Sequence, residues 1–528
     1  MLMFSAVLLG GMVRFMPALV TQFPINDGGM FHDMARDLQA NHYFLPAATS
    51  YNGLDLPYAY PPFGMYLVSL LADVTRIPLL DLFLWLPPLL ATLAIPAFYR
   101  LARALLAEDV RAALATLFFA LTPGRYDWHI MGGGITRATG MLFLLLAAFY
   151  VLRLFRSLEA SDSVRLQWTP KSPDFGVAIL FCSAAVLSHP EVGLQTAGLC
   201  FVLWLFLGRT WRGALHAFLV ALGVFLFTAP WWGTVIAQHG LTPFLSAIQT
   251  GQHTSVDWLE LLASVFVGGE FIPLLLILRV VGFIYAIWKK QFIFIALVFV
   301  PALIDPRSAA SIAFLSLSML AAVGFLEAIP ALFRKAKQTY PPTPSASPPS
   351  LQGKGEGGIG HIGLQIIEKS LPFLSILVFI LFVECGLRNY SLVHSTLTLE
   401  NRAAMTWLRE NISPRQNFLL LTGRTYSMSD PVQEWFPALT GQHSQTTLQG
   451  LEWTLGPQFT HRLDDLAALQ SCLDLVCVES WSKRTGLEYD YLWVAKTPAY
   501  LAKDIRASVE YSLAYESETV AIFARVEK

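Results

Sequence analysis

Charge is what this sequence is short of. Only 14% of its 528 residues are Asp, Glu, Lys or Arg, against roughly 25% in a soluble globular domain. The few charges nearly cancel, 36 basic against 37 acidic for a formal −1, so bulk charge offers nothing to nucleic acid or another polyanion. Cysteine is scarce as well. Five occur, with no Cys-x-x-Cys pair, which removes the thiol-based metal knuckle from consideration. The opening MLMFSAVLLGGMVRFMPALV lacks a charged n-region and a small-residue cleavage site, and reads as a retained span or signal anchor. What the chain has in quantity is apolar surface: 55% of its residues are hydrophobic. That combination describes an α-helical, polytopic membrane protein.

Apolar runs that suit a bilayer, for which about 17–25 residues are needed, lie near 1–20, 81–99, 112–125, 136–155, 174–188, 191–208, 213–231, 271–288, 291–304, 308–328 and 370–388. A further run at 60–74, YPPFGMYLVSLLADV, is short and opens on Pro61 and Pro62, so it reads as an interfacial or re-entrant helix. Basic clusters at Arg100/Arg103/Arg111, Arg153/Arg156/Arg165, Arg209/Arg212, Lys289/Lys290 and Arg334/Lys335/Lys337 all face the cytoplasm if eleven runs cross and 60–74 does not. Residues 21–80 then form one long outer loop. The segments 124–135, 189–190, 232–270 and 305–307 lie on the same side.

The segment TYPPTPSASPPSLQGKGEGGIG, rich in Pro, Ser and Gly, cannot bury a core and reads as a disordered linker. The expected order is a membrane body over 1–330, a cytoplasmic linker over 331–369, a last span over 370–389 and a small extracytoplasmic α/β domain over 390–528. In that domain ENRAAMTWLREN has helical spacing, NFLLLT and DYLWVA read as strands, and VEYSLAYESETVAIFARV reads as a hairpin. Cys472 and Cys477 fall there too. A strand between them would hold their Cα atoms beyond the ~7 Å limit of a disulfide, so they are expected to stay unpaired.

Acids are unexpected in so apolar a chain, because desolvating a carboxylate is costly. Yet INDGGMFHDMARD follows directly on the first apolar run, and TPGRYDWHIMGGGITR sits in the next outer segment. Asp27 heads the first group, with His32 behind it. Asp127 and His129, two apart in a loop, can both reach a common ion or substrate. His189, Glu191 and Glu270 emerge on the same side, as do the cations Arg14, Arg125, Arg137 and Arg307. Arginine holds phosphate through bidentate, charge-assisted hydrogen bonds. A carboxylate able to act as base, an arginine for phosphate and acids for a metal together suit transfer of a sugar from a lipid phosphate.

The layout resembles the C-type (GT-C) membrane glycosyltransferases, which use polyprenyl-phosphate-linked sugars. In that superfamily the first outer loop begins with a catalytic Asp, followed by two interfacial helices. Asp27, GGMFHDMARDLQA and YAYPPFGMYLVSLLADV match that order. The Pro61–Pro62 pair resembles the one that opens the second such helix in protein O-mannosyltransferases and aminoarabinose transferases. DWH at 127–129 is similar to the metal-binding acidic motif of the oligosaccharyltransferase branch, which implies a divalent cation, Mg or Mn, held by Asp27, Asp127 and His129. Arg307 in IDPRSA matches an arginine near the outer end of a late span, and with Arg137 is expected to bind the donor phosphate. His32, Tyr60, His189, Glu191 and Glu270 are expected to line the substrate. The resemblance implies an inverting transferase in a bacterial or archaeal plasma membrane, working on its outer face with membrane lipid as carrier. The WWDYG motif that reads a peptide acceptor is absent, and QEWFPALTG at 433–441 does not replace it. The acceptor is therefore open.

Simpler readings stand beside these. Asp27 suits the N-cap of the helix beginning at GGMFHDMARDL, and Asp33, Arg36 and Asp37 suit a solvated helix face. Asp127 and His129 suit the satisfaction of loop backbone groups. GGGITR lacks the Lys-Ser/Thr of a phosphate loop, and its glycines suit a tight turn into the next helix. Pro190 after His189 suits a helix start. The long segment 232–270 suits a lid, with DWLELLASVF along the interface. A transporter of lipid-linked sugars would show internal repeats and mid-membrane polar groups, and no repeat is visible. A non-enzymatic envelope assembly protein would tolerate loss of Asp27.

Overall fold

Each apolar run picked out in the sequence falls on a helix. The computed structural model describes residues 1–161, 173–250, 258–331, 358–496 and 500–526. The helices are α1 (Leu2–Thr21), α2 (Gly29–Ala40), α3 (Phe63–Thr75), α4 (Leu79–Leu106), α5 (Asp109–Ala120), α6 (Asp127–Ile130), α7 (Gly134–Ser161), α8 (Pro173–Ser188), α9 (Pro190–Leu207), α10 (Trp211–His239), α11 (Thr242–Thr250), α12 (Trp258–Phe266), α13 (Leu274–Trp288), α14 (Phe292–Ile304), α15 (Pro306–Val323) and α16 (Gly358–Val393). Seven described helices are long and apolar enough to cross a membrane: Leu2–Thr21, Leu79–Leu106, Gly134–Leu158, Pro190–Leu207, Trp211–His239, Pro306–Ala331 and Ser370–Val393. Helices α3, α8, α13 and α14 are apolar but shorter, and α5 is 12 residues long. The chain is an integral, multi-pass membrane protein.

The bundle is built around α1, α4, α5 and α7, with α8 and α9 against α7, and α13, α14 and α15 packed together. Arg14 locks α1 to α5: its buried guanidinium donates to the carbonyls of Gly10 and Ala120, both at 2.9 Å. The IDPRSA segment starts α15, with the Asp305 side chain accepting from the amides of Arg307 and Ser308 and Pro306 in the first turn.

Helix α16 leads into a five-stranded sheet of order β4-β3-β5-β7-β6. Its strands are β3 (Asn417–Leu421), β4 (His443–Ser444), β5 (Tyr491–Ala495), β6 (Tyr511–Glu516) and β7 (Val520–Arg525); a short pair, β1 (Ala48–Thr49) and β2 (Leu56–Pro57), lies in the first loop. Strand β3 is parallel to β4 and β5, and β6 and β7 form the expected hairpin. The near-continuous apolar run of β3 has a reason: both faces are covered. Leu419 and Leu421 face a core with α19 (Gln458–Gln470), α20 (Leu475–Thr485) and α21 (Tyr500–Ala507). Phe418 and Leu420 face the opposite core, with α17 (Leu399–Asn411) and α18 (Pro431–Thr440). Phe23, just beyond α1, belongs to that second core. The membrane bundle and the sheet are thereby joined a few residues from Asp27.

Three expectations change. The last helix begins by Gly358 rather than at 370, and the remaining linker residues, 332–357, lie outside the described residues. The segment 232–270 is not one long loop: α10 continues to His239, and α11 and α12 follow, with 251–257 outside the described residues. Cys472 and Cys477 do form a disulfide, with Cα atoms 5.6 Å apart. A helix-to-helix turn from α19 into α20 separates them, not a strand, and a turn brings the two Cα atoms within bonding range.

Candidate active site

The segments assigned to one side by charge parity do meet at one end of the bundle. On either side of Asp27 the backbone takes positive φ, Asn26 at 55° and Gly28 at 123°. This turns the Asp27 side chain away from α2, which has no side-chain cap from its own N-cap residue, Gly28. The capping role expected as an alternative for Asp27 is therefore not taken up. Its Oδ1 accepts the Gly133 amide at 2.8 Å, and its Oδ2 accepts from Arg137 Nη1 at 2.6 Å.

Gly132 and Gly133 leave the space this contact needs. A Cβ on Gly132 would lie 1.9 Å from the Asp27 carbonyl oxygen, and one on Gly133 would lie 2.5 Å from Asp27 Oδ2 and 2.8 Å from Arg137 Nη1. The amide of the turn thus binds a carboxylate of the chain itself. Gly133→Ala is expected to wedge the Asp27–Arg137 pair apart. We expect turnover to fall by about 10²-fold, the scale of a 1 Å misplacement in an active site, with thermal stability close to wild type. Turnover and melting of the two proteins in one detergent check this.

The sheet domain supplies what α2 lacks. Glu434, on α18, accepts the amides of Gly28 and Met30 through Oε1, both at 3.1 Å. It is an N-cap delivered from about four hundred residues away. Trp435 Nε1 donates to the Asn26 carbonyl at 3.0 Å, and Tyr51 OH donates to the Glu434 carbonyl at 2.7 Å. Asp27 is flanked on both sides by residues bonded to α18. Burial, reinforced by the nearby Asp27 charge, pushes the Glu434 carboxyl up to about 7, while the two amides pull it down. QEWFPALTG, set aside as lacking the peptide-reading motif, is therefore the splint of the Asp27 turn. The signal in the sequence was Asp430–Pro431, a helix start of known kind, but its partner could not be read from spacing.

Beyond Arg137 lies a polar wall. Tyr60 OH is 3.3 Å from Thr136 Oγ1, and its ring meets His189 edge-on at 6.0 Å. Burial raises the Tyr60 phenol, with Arg137 opposing. His189 is buried, and desolvation together with Arg137, His129 and Arg307 holds its imidazole well below the ordinary value. Glu191 pairs with Arg307 at 3.1 Å, and Arg307, at 59% exposure, is the accessible cation of this wall. From the sheet domain, Glu452 reaches the same field, raised to about 7 by burial. Helix α11 fastens that segment: Ser246 Oγ donates to the Glu452 carbonyl at 2.8 Å and accepts the Gly456 amide at 2.7 Å.

Other expected site residues go elsewhere. Asp127 is buried against Arg388 of α16 at 2.6 Å, and burial raises its carboxyl against that pairing. His129 is buried, held to about 4 by desolvation and the charges of Arg14 and Arg137, so it is neutral at ordinary pH. His32 sits beside Asp33 at 3.3 Å, between the rings of Phe83 and Trp435. Glu270 forms a buried ion pair with Arg279 at 2.6 Å. Arg279 in turn reaches Thr122 and the Phe266 carbonyl, so this pair ties α13 to the α5–α6 connection rather than lining the Asp27 group. Arg137 is engaged by Asp27 and stacked over Trp128 at 5.0 Å.

The three residues expected to share a metal are not assembled as one donor set. Both oxygens of Asp27 are taken by an amide and a guanidinium, and Asp127 is tied to Arg388. Among the described residues no group of three His, Cys, Asp or Glu side chains is placed to hold a metal ion. The arrangement does not fit a divalent cation at Asp27, because the Arg137 guanidinium holds that place.

No family model and no curated protein matches the sequence. The fold does have solved counterparts. The oligosaccharyltransferase AglB from Archaeoglobus fulgidus, in complex with an inhibitory peptide and a dolichol-phosphate, aligns over 100% of this chain and 74% of its own, at 12% identity and a TM-score of 0.56. ArnT from Cupriavidus metallidurans, bound to undecaprenyl phosphate, aligns over 99% of this chain and 97% of its own, at 14% identity and a TM-score of 0.55. The chain has the GT-C fold. The mycobacterial arabinofuranosyltransferase AftD shares that fold at 13% identity and a TM-score of 0.53, over 99% of this chain and 40% of its own. An Archaeoglobus fulgidus oligosaccharyltransferase in complex with Zn and sulfate aligns at 12% identity and a TM-score of 0.52, over 99% of this chain and 73% of its own. The GT-C fold here thus carries a guanidinium against its first-loop acid.

Proposed function

We propose that this protein is a membrane glycosyltransferase that moves a sugar from a polyprenyl-phosphate donor to an acceptor on the extracytoplasmic face. The observation that carries the reading is the Asp27 carboxylate, clamped by Gly133 and Arg137 at the bundle end where Tyr60, His189, Glu191 and Arg307 also converge. The GT-C fold supports it, as do the polyprenyl-type phosphates bound by ArnT and AglB.

In this reading Asp27 accepts the proton of the acceptor hydroxyl or amine as its lone pair forms the bond to the anomeric carbon. The bond from that carbon to the phosphate oxygen breaks, and the electron pair leaves on polyprenyl phosphate. Arg307, exposed but paired with Glu191 at 3.1 Å and with Asp305 at 3.8 Å, exchanges those carboxylates for the phosphate. Arg137 keeps the Asp27 carboxylate aimed. No step passes through a metal. Attack opposite the leaving group inverts the anomeric centre.

The test is a panel of polyprenyl-phosphate sugars offered to the reconstituted protein with membrane lipids and glycans as acceptors. Loss of sugar from one donor, with free polyprenyl phosphate as coproduct, supports the reading, and inert donors throughout the panel contradict it. With an active donor, Arg307→Ala is expected to raise KM for the donor about tenfold, the scale of one charge-assisted bond to a partly exposed group, with a smaller change in kcat. Steady-state kinetics against donor concentration check the split.

A further inference from the structure

The end of the bundle opposite Asp27 carries an open groove that the transferase reading does not use. It has a volume of about 800 Å³ and lies between α1, α4 and α7, lined by Met3, Leu93, Pro96, Leu142, Leu146 and Phe149, with Arg100 and Arg103 on its rim. The groove is open on its outer side, where Leu93 is exposed, and has room for an extended chain along the helices. Its place along the bundle is fixed by helix geometry. Arg100 lies about 30 Å along α4 from the Leu79 end, at ~1.5 Å per residue, close to one hydrocarbon thickness.

The two arginines are not equivalent. Arg103 is paired with Asp109. Arg100 is exposed and stacks over the Phe149 ring at 5.8 Å, and no carboxylate among the described residues pairs with it. The neighbouring acid Glu108 is already bound to Arg111. The site is an apolar slot ending in an uncompensated guanidinium at the hydrocarbon edge. Apolar walls exclude a free phosphate or nucleotide as the main occupant, and the cation disfavours a neutral lipid.

We propose that this groove is a binding site for one anionic phospholipid of the leaflet opposite Asp27, its acyl chain between Leu93, Leu142 and Leu146 and its phosphate on Arg100. Basic pockets between transmembrane helices select anionic head groups through this chemistry. The site rests on the membrane location and the bundle geometry, and stands whether or not Asp27 catalyses sugar transfer.

The test is native mass spectrometry of the full chain released from nanodiscs of phosphatidylcholine with increasing phosphatidylglycerol. The expected result is one retained phosphatidylglycerol that saturates at low mole fraction. Arg100→Gln should weaken its retention about tenfold, and Leu146→Trp, which fills the slot without touching the charge, should weaken it as well. Lys289→Gln, removing another exposed cation, should leave it unchanged. Equal retention of the two lipids, or loss of retention in Lys289→Gln as large as in Arg100→Gln, would overturn the proposal. So would full retention in both groove variants.

Discussion

Asp27→Asn is expected to lower sugar transfer by about 10²–10⁴-fold, the range that positioned acid–base groups contribute, while leaving the fold intact. The substitution is close to isosteric. An amide oxygen still accepts the Gly133 N–H, but the ion pair to Arg137 is lost and no base remains for the acceptor proton. The α2 cap is untouched, because Glu434 rather than Asp27 provides it. Turnover with melting of the same preparation separates chemistry from folding. A loss of activity matched by a loss of folded protein would assign Asp27 a structural role.

Glu434→Ala is expected to be the second most damaging change, though Glu434 touches no reacting atom. It leaves two buried amides, those of Gly28 and Met30, without an acceptor, at a cost of about 1–3 kcal/mol for such unsatisfied groups. The turn that carries Asp27 then keeps the Trp435 bond from α18 and the backbone bond from Asn26 to Ser395, but loses its carboxylate acceptor. Turnover should fall about 10²-fold through misplacement. Glu434→Gln keeps an acceptor oxygen and should retain most activity. The pair also has a pH signature. The Glu434 carboxyl moves from 4.5 to about 7 on folding. Between those values the folded state binds more protons than the unfolded one, so this group makes the protein less stable as pH rises from 4.5 to 7, with no further change above. Melting temperatures from pH 4.5 to 7 should therefore decline less steeply in Glu434→Gln than in wild type. Equal slopes would mean that Glu434 titrates alike in both states.

The sequence displayed the bundle through its apolar runs and the sheet through NFLLL, DYLWV and the closing hairpin, because each pattern is local. It also displayed Asp27, since an acid at the end of an apolar run is conspicuous. It did not display what Asp27 touches. The Gly133 and Arg137 partners lie more than a hundred residues away, and Glu434 about four hundred. Such pairings are set by how helices and sheet stack, not by spacing. The proximity of Asp127 and His129 to each other suggested a shared metal. Arg388, arriving on the last helix, pairs with Asp127 instead, and nothing in that helix's apolar pattern announces it. Glu270 misled for a similar reason: the buried Arg279 claims it. The disulfide was missed because two short helices stand where a strand was expected.

The central claim is that Asp27 acts on a donor bound beside it. The most direct measurement follows donor binding and release of free polyprenyl phosphate in the same sample, by mass spectrometry, for wild type and Asp27→Asn. The account predicts that both proteins bind the donor with similar affinity and that only wild type releases polyprenyl phosphate. Equal release by the two proteins would contradict it.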